Sequence, residues 1–302
     1  MRNRWKQEKN IIFNIYKKYD LSINLTASDR SVFYSIISGR KSISAVEIDN
    51  TKSWWKKIML SNYYFFNEKK HILKNNLESL NILKIHYESI QQPIEISRDV
   101  ISSVKKKLNY LKVEKFIIFH PSTQYEYKMY PEKLRTQLLF YLNEMKVPII
   151  VTGGDNSIDI QIKNQLPELP FIIDFIGETS LEECMALSEL SLGYIGMDTL
   201  NMHLAASQSK RIFAIFGPTK LKMWSPWSND LKLCATQDQP IQTYGNVTIF
   251  QANMACVACG KAGCDDNHSY SDCLEKIEPK IIFNEVKNWY LESNNKISIE
   301  TQ

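Results

Sequence analysis

Met197-Asp198-Thr199-Leu200-Asn201-Met202-His203 stands between the apolar runs SLGYIG (191–196) and LAAS (204–207), and a second strand-like run, RIFAIFG (211–217), follows. The pattern reads strand, sharp turn, helix, strand. In an open parallel sheet, ligands bind outside the carboxyl ends of the strands, which is where this turn falls. Thr199 or Asp198 can cap the new helix, and the free amides of a helix N-terminus suit an anion. His203 follows Thr199 by four residues, so it lies one turn on and on the same helical face. The same residues also fit a capped helix with a half-buried histidine and no ligand.

The alternation extends in both directions from this turn. VISSVKKKLNYL (100–111) has helical spacing, and FIIFHPS (116–122) is a continuous apolar run of the kind a buried parallel strand shows. PEKLRTQLLFYLNEM follows with Pro131 at a first helical position. VPIIVTGG, a helix near 156–165 and the strand FIIDFIG come next. ETSLEECMALSEL is a helix with Thr179 or Ser180 as its N-cap. LKLCAT (231–236) reads as a further strand, a last helix runs over about 279–293, and the tail beyond it reads as frayed. Strands separated by helices of this length predict a doubly wound α/β domain. Before it lie a helix near 8–18, a strand LSINLT (21–26), a helix DRSVFYSIISG, a strand KSISAVEI and a helix over His71–Leu83. QQPIEIS (91–97) reads as a linker. The expected division is therefore 1–97 and 98–302.

The chain has 302 residues, 44% of them hydrophobic, enough for two domains. A formal net charge of +4 is too weak to imply nucleic acid. No apolar run is long enough to span a bilayer, and the basic start lacks a signal-peptide core, so a cytoplasmic chain with reduced cysteines is expected. Trp5, Trp54 and Trp55 stand among Lys and Arg (Lys56 and Lys57 adjoin), a pattern that fits anionic lipid or a solvated basic face.

Several loops at strand ends carry chemistry. His120-Pro121-Ser122-Thr123 leads to Lys128-Met129-Tyr130-Pro131, and a lysine in such a loop is a flexible cation for phosphate. Gly153-Gly154 closes a strand, either for close ligand approach or for a tight turn. Gly217-Pro218-Thr219 follows another strand and can lie against a nucleotide. Trp224 and Trp227 beside Pro226 fit base stacking or ordinary packing.

Together these segments resemble the glycosyltransferase family 9 heptosyltransferases of lipopolysaccharide core synthesis. The carrying motifs are HPSTxxxxKxxP (120–131), VTGG (151–154), FIGETSLEECMAL (175–187), GMDTxxxHLAA (196–206) and FGPTxxxxWSPW (216–227). WSPW, and the lack of glycine after Asp198-Thr199, resemble the heptosyltransferase III-like branch. The resemblance implies a GT-B fold of two Rossmann-like domains and no cofactor. It implies ADP-L-glycero-D-manno-heptose as donor and the lipopolysaccharide inner core as acceptor, at the inner face of the inner membrane with peripheral association there. It assigns donor binding to Ser122, Thr123, Lys128, Gly153, Met197, Asp198, Thr199, Leu200, His203, Gly217, Pro218 and Thr219. Lys128 would hold the diphosphate and Asp198 the heptose hydroxyls, with Lys128 and the helix N-terminus neutralising the leaving group without metal.

Two departures from the family pattern stand out. Members begin with a strand and a Gly-Asp loop that supplies the catalytic carboxylate, and nothing before LSINLT matches it. The expectation is an N-terminally incomplete first domain, with Asp29 either the substitute general base or a helix cap. A chain that binds donor without turnover, or a transferase for another nucleotide sugar, are the alternatives. The second departure is Cys256, Cys259, Cys264 and Cys273, four cysteines in eighteen residues. They read as reduced thiols, an occasional disulfide, or a structural metal site, which would make the segment an interaction module. The expectation is no metal.

Overall fold

The computed structural model describes residues 2–88, 95–266 and 269–300. The chain forms two compact units, 1–89 and 90–302. Part of the expected linker, residues 91–94, lies outside the described residues.

The first unit contains α1 (Arg2–Ile15), β1 (Tyr19–Asn24), α2 (Asp29–Ser38), β2 (Gly39–Val46), α3 (Asn50–Met59), β3 (Asn62–Phe65), α4 (Ile72–Asn76) and α5 (Glu78–Ile82). Its strands form a parallel sheet in the order β1-β2-β3. Alternate residues of β2 serve opposite faces: Val46 packs with Val32 and Leu60, while Ile43 and Ala45 pack with Tyr64. Three local readings need correction. Ser28, not Asp29, caps α2, its hydroxyl accepting from the Ser31 N–H. The helix expected over His71–Leu83 breaks into α4 and α5 at Leu77. Neither α3 nor β3 was expected, because α3 mixes aromatic, basic and apolar residues without a clear period.

Lys56 organises the carboxyl ends of this small sheet. Its side chain is wholly buried, and its Nζ reaches Asp29 Oδ1 at 2.7 Å, Glu47 Oε2 at 2.8 Å and the Ala27 carbonyl at 2.5 Å. Burial works against the charge, but the bonds to Asp29 and Glu47 outweigh it and hold the Lys56 pKa above the usual lysine value.

The second unit runs α6 (Arg98–Tyr110), β4 (Ile117–His120), a 3₁₀ turn (Glu126–Lys128), α7 (Glu132–Asn143), β5 (Ile149–Gly153), α8 (Ser157–Asn164), β6 (Ile172–Ile176), α9 (Leu181–Leu190), β7 (Gly193–Met197), α10 (Leu200–Ser207), β8 (Arg211–Ile215), α11 (Leu221–Trp224), β9 (Ile241–Tyr244), β10 (Val247–Phe250), α12 (Asp272–Glu275) and α13 (Pro279–Glu300). Its strand order is β6-β5-β4-β7-β8-β10-β9, parallel except for the β9–β10 hairpin at the edge. Both faces of the sheet are covered, which explains the unbroken apolar runs. Ile117 and Phe119 point to one side, against Leu138 and Leu139 of α7 and Phe283 and Val286 of α13. Phe116 and Ile118 point to the other, against Val104 and Leu108 of α6, Leu187 of α9 and Ala205 of α10.

Caps fix several helix starts. Ser180 and Glu183 form a reciprocal capping box on α9, and Asn156 accepts from the Ile158 and Asp159 amides of α8. Pro131 sits one place earlier than expected, at the N-cap of α7. LKLCAT is not a strand. Its Leu233 makes only an isolated bridge to Ser228, and the last strands are instead β9 and β10, joined through Gly245-Asn246 with Gly245 at φ +52. A two-residue turn with positive φ suits the twist of a hairpin. The last helix runs further than the expected end near 293, since α13 continues to Glu300.

Candidate functional site

Strand order reverses between β4 and β7: β5 and β6 extend the sheet on one side, β8 and β10 on the other. At such a switch point the loops leaving two neighbouring strands turn in opposite directions and open a crevice at their carboxyl ends. A recess of about 410 Å³ lies there. It is lined from three loops: His120 to Lys128 after β4, Gly154 to Asp159 after β5, and Asp198 to Asn201 after β7.

The loop after β4 ends in the 3₁₀ turn, which carries Lys128 back toward β7. Its Nζ lies 2.9 Å from Asp198 Oδ2, with the lysine side chain 26% exposed and the aspartate 10%. The two residues are seventy apart in sequence. Thr123 steadies the loop by donating to the Tyr125 carbonyl at 2.6 Å. Thr199 is the N-cap residue of α10 but makes no side-chain cap bond, so neither Thr199 nor Asp198 caps the helix by its side chain in the expected way. His203 donates its amide to the Thr199 carbonyl one turn back. Burial lowers the His203 pKa, Asp198 raises it and Lys128 lowers it further, so the imidazole is neutral and stands in the field of both charges.

The floor of the recess was less legible. His120, at the end of β4, is 7% exposed and its Nδ1 is 3.0 Å from the Thr152 hydroxyl. The Asn201 amide contacts the same ring, 3.0 Å from Nε2. Burial drives the His120 pKa down to about 4, against an opposing pull from Asp159. Asp159 is 2% exposed; its Oδ2 accepts from the Asn156 amide while its Oδ1 is a buried acceptor with no hydrogen-bond partner. A side chain on Gly153 would meet Asp159 Oδ1 at 2.7 Å. Gly153 therefore makes room for a buried carboxylate, and Gly154, not Gly153, lines the recess.

Of the expected donor residues, the fold brings Ser122, Thr123, Lys128, Asp198, Thr199 and Leu200 together around the recess, with His203 behind them. Met197 is 1% exposed and its side chain belongs to the core. Gly217, Pro218 and Thr219 lie at the end of β8 but do not line the recess. A Cβ on Gly217 would strike Leu274 at 2.8 Å, and the Pro218 carbonyl accepts from the Gly260 amide. Trp227 is buried, so it packs rather than stacks on a ligand. Sequence reasoning quoted His120 and Asn201 within their motifs but gave them no role, and it missed Asn156 and Asp159. For Asn156 and Asp159 the available signal was the Asn-x-x-Asp spacing at a helix start, which brings the two side chains together.

Asp29 lies in the first turn of α2, its side chain 74% exposed and its carboxylate held by Lys56. Among the described residues, no group of three His, Cys, Asp or Glu is placed to hold a metal ion. Cys256, Cys259 and Cys264 are exposed and Cys273 is buried. Burial, then Cys264 and Cys259, push the Cys273 thiol up to about 12.

Against known proteins, the profile of Glycosyltransferase family 9 (heptosyltransferase) matches residues 15–252. The chain belongs to glycosyltransferase family 9. Two curated members are Escherichia coli lipopolysaccharide heptosyltransferase 3, 20% identical over 71% of this chain and 64% of its own, and the same enzyme of strain K12, 22% identical over 70% and 63%. The chain thus spans less than two thirds of the length of these relatives. Among solved structures, E. coli ADP-heptose lps heptosyltransferase II superposes with a TM-score of 0.67 at 14% identity, over 94% of this chain and 80% of that one. The E. coli heptosyltransferase WaaC with ADP gives 0.63 at 14% identity, over 95% and 77%. These likenesses confirm the α/β fold of the family that the motifs pointed to.

Proposed function

We propose that the recess binds a nucleoside diphosphate sugar, ADP-L-glycero-D-manno-heptose, and that the protein transfers its heptose to the inner core of lipopolysaccharide at the cytoplasmic face of the inner membrane. The observation that carries this reading is the Lys128–Asp198 pair at the β4/β7 switch point. A cation for a diphosphate and a carboxylate for sugar hydroxyls stand side by side, next to the start of α10, whose first amides favour negative charge. The relatives' names and the ADP in the E. coli WaaC structure support the choice of donor.

Transfer proceeds when an acceptor hydroxyl attacks the anomeric carbon and the nucleoside diphosphate leaves. Lys128 and the α10 N-terminus are assigned the charge that develops on the leaving diphosphate. Asp29 is assigned the acceptor proton, because it follows the carboxyl end of β1, where acceptors reach an open α/β sheet. Lys56 favours a competing reading, donor binding without turnover, since it already engages that carboxylate. Calorimetry with ADP tests the donor site, and a transfer assay with ADP-heptose and a truncated core acceptor tests turnover. Absence of ADP binding at millimolar concentration would refute the proposal.

A further inference from the structure

Lys128 stands on a single 3₁₀ turn, and a stretch of chain from far downstream packs against that turn. Ser271 is buried, and its hydroxyl donates to the Tyr127 carbonyl at 2.7 Å across 144 positions of sequence. A serine at the start of a helix ordinarily turns its oxygen to the helix's own amides. Ser271 is the N-cap residue of α12 but makes no such bond. Its hydroxyl is committed to the Lys128 turn instead.

The Tyr127 carbonyl and the Lys128 amide belong to one planar peptide unit. Both polar ends of that unit are held: the amide donates to the Tyr125 carbonyl at 3.0 Å, and the carbonyl accepts from Ser271. Ser271 is itself fixed from both sides by Cys264, whose amide donates to the Tyr270 carbonyl at 2.9 Å and whose Sγ accepts from the Asp272 amide at 3.3 Å. Gly263, at φ +94, brings backbone close to the same turn; a side chain there would meet Tyr127 Cβ at 3.4 Å and the Tyr270 carbonyl at 2.9 Å. Just past the turn, the buried Tyr130 hydroxyl donates to the Ile277 carbonyl. Cys273, Leu274 and Ile277 share an apolar cluster with Tyr130, and Met129 packs against it. The cysteine segment is thereby joined to the cation of the recess, although it lines none of it.

We propose that Ser271 is a positioning residue for Lys128: it fixes the 127–128 peptide plane so that the ammonium meets the diphosphate of the donor. The inference rests on the donor site proposed above. A lysine stem is flexible and cannot by itself set where its charge stands. Tilting its root by about 10° displaces an ammonium about 6 Å away by about 1 Å. Misplacement on that scale weakens a contact although the group is still present. A serine that only tied two loops together would act on stability and leave ligand affinity alone.

The test is ADP calorimetry on the full chain, together with hydrogen exchange of the ligand-free protein. Ser271→Ala should weaken ADP binding by about fivefold, the share of one hydrogen bond to a backbone carbonyl. Ser271→Thr keeps the hydroxyl and should stay within about twofold of the wild type. In a Lys128→Met background, Ser271→Ala should change ADP affinity by less than about twofold, because a residue that acts through Lys128 then has no charge to place. Without ligand, the Lys128 and Met129 amides should exchange at least about fivefold faster in Ser271→Ala, while the amides of α7 stay as they were. Melting curves check that the variants fold. Equal ADP affinity in wild type and Ser271→Ala overturns the proposal and leaves the donor site standing. So does an equal loss with and without the Lys128 charge, a threonine variant as weak as the alanine one, or unchanged exchange at Lys128. A wild-type chain that fails to bind ADP at millimolar concentration overturns the donor site, and this proposal with it.

Discussion

Asp198→Asn removes one negative charge from the recess and leaves an acceptor oxygen in place. Asp198 is only 10% exposed and its Oδ2 lies 2.9 Å from Lys128 Nζ. A diphosphate received by Lys128 would stand about 6 Å from that carboxylate, where two like charges repel by about 3 kcal/mol at an effective dielectric near 20. Salt and water in an open recess reduce this to about 1 kcal/mol. The substitution also releases Lys128 from its partner. ADP should therefore bind about fivefold more tightly to the variant. ADP-heptose should respond the other way relative to ADP. It loses a charge-assisted acceptor for its sugar hydroxyls, worth about 1.5–3 kcal/mol, so the gain from the sugar should shrink by about tenfold or more. Calorimetry with both ligands at one ionic strength gives the ratio of the two Kd values directly. If both affinities fall by the same factor, Asp198 acts by shaping the turn, and its assignment to the sugar is wrong.

Lys128→Met keeps the apolar stem and removes the charge; ADP affinity should fall by about 1.5–3 kcal/mol, and calorimetry showing wild-type affinity would take Lys128 out of the site. His120 has a pKa of about 4 in the fold against 6.5 when free, so between those values the unfolded chain takes up a proton that the fold refuses. Stability should fall as pH drops through that window, by up to about 3 kcal/mol from this residue, and His120→Gln should remove that portion of the slope in denaturant titrations at pH 7 and pH 4. Asp29→Asn should lower transfer by about 10²–10⁴-fold with ADP affinity unchanged; full turnover would assign the base elsewhere. The cysteine segment should purify with far less than one zinc per chain and melt unchanged in chelator, and a stoichiometric metal content lost in Cys259→Ser would reverse that expectation.

The alternation of strands and helices from 98 onward was legible because the sheet is buried on both faces. Its strands then read as unbroken apolar runs, and short caps such as Ser180 and Asn156 mark the helix starts. The β9–β10 hairpin was missed although Gly245-Asn246 is a turn signal, because LKLCAT offered a more apolar run nearby. In the first unit the signal was weaker throughout: Lys56 looks like a surface residue and is buried, and Trp54 looks like core and is exposed. For the site, each strand-end loop could be found by itself. That Lys128 and Asp198 share one site came only from the family resemblance, since from the residues alone it depends on which strands are neighbours in the sheet. Asp159 was hidden for a related reason: its environment is set by Gly153, and a missing side chain leaves no trace in a hydropathy pattern.

The recess draws its walls from three stretches of chain, each hung from its own strand of one continuous sheet. Side-chain bonds join the walls at separate points: Lys128 to Asp198, and Asn201 and Thr152 to His120. A loop attached in this way can be lengthened, shortened or exchanged without disturbing its neighbours' anchorage. Variation among descendants of such a scaffold would then fall on one wall at a time, so that a lineage could change which sugar it accepts while keeping its grip on the diphosphate. A library randomised over 155–158 alone, with Lys128 and Asp198 untouched, would explore that route in the laboratory.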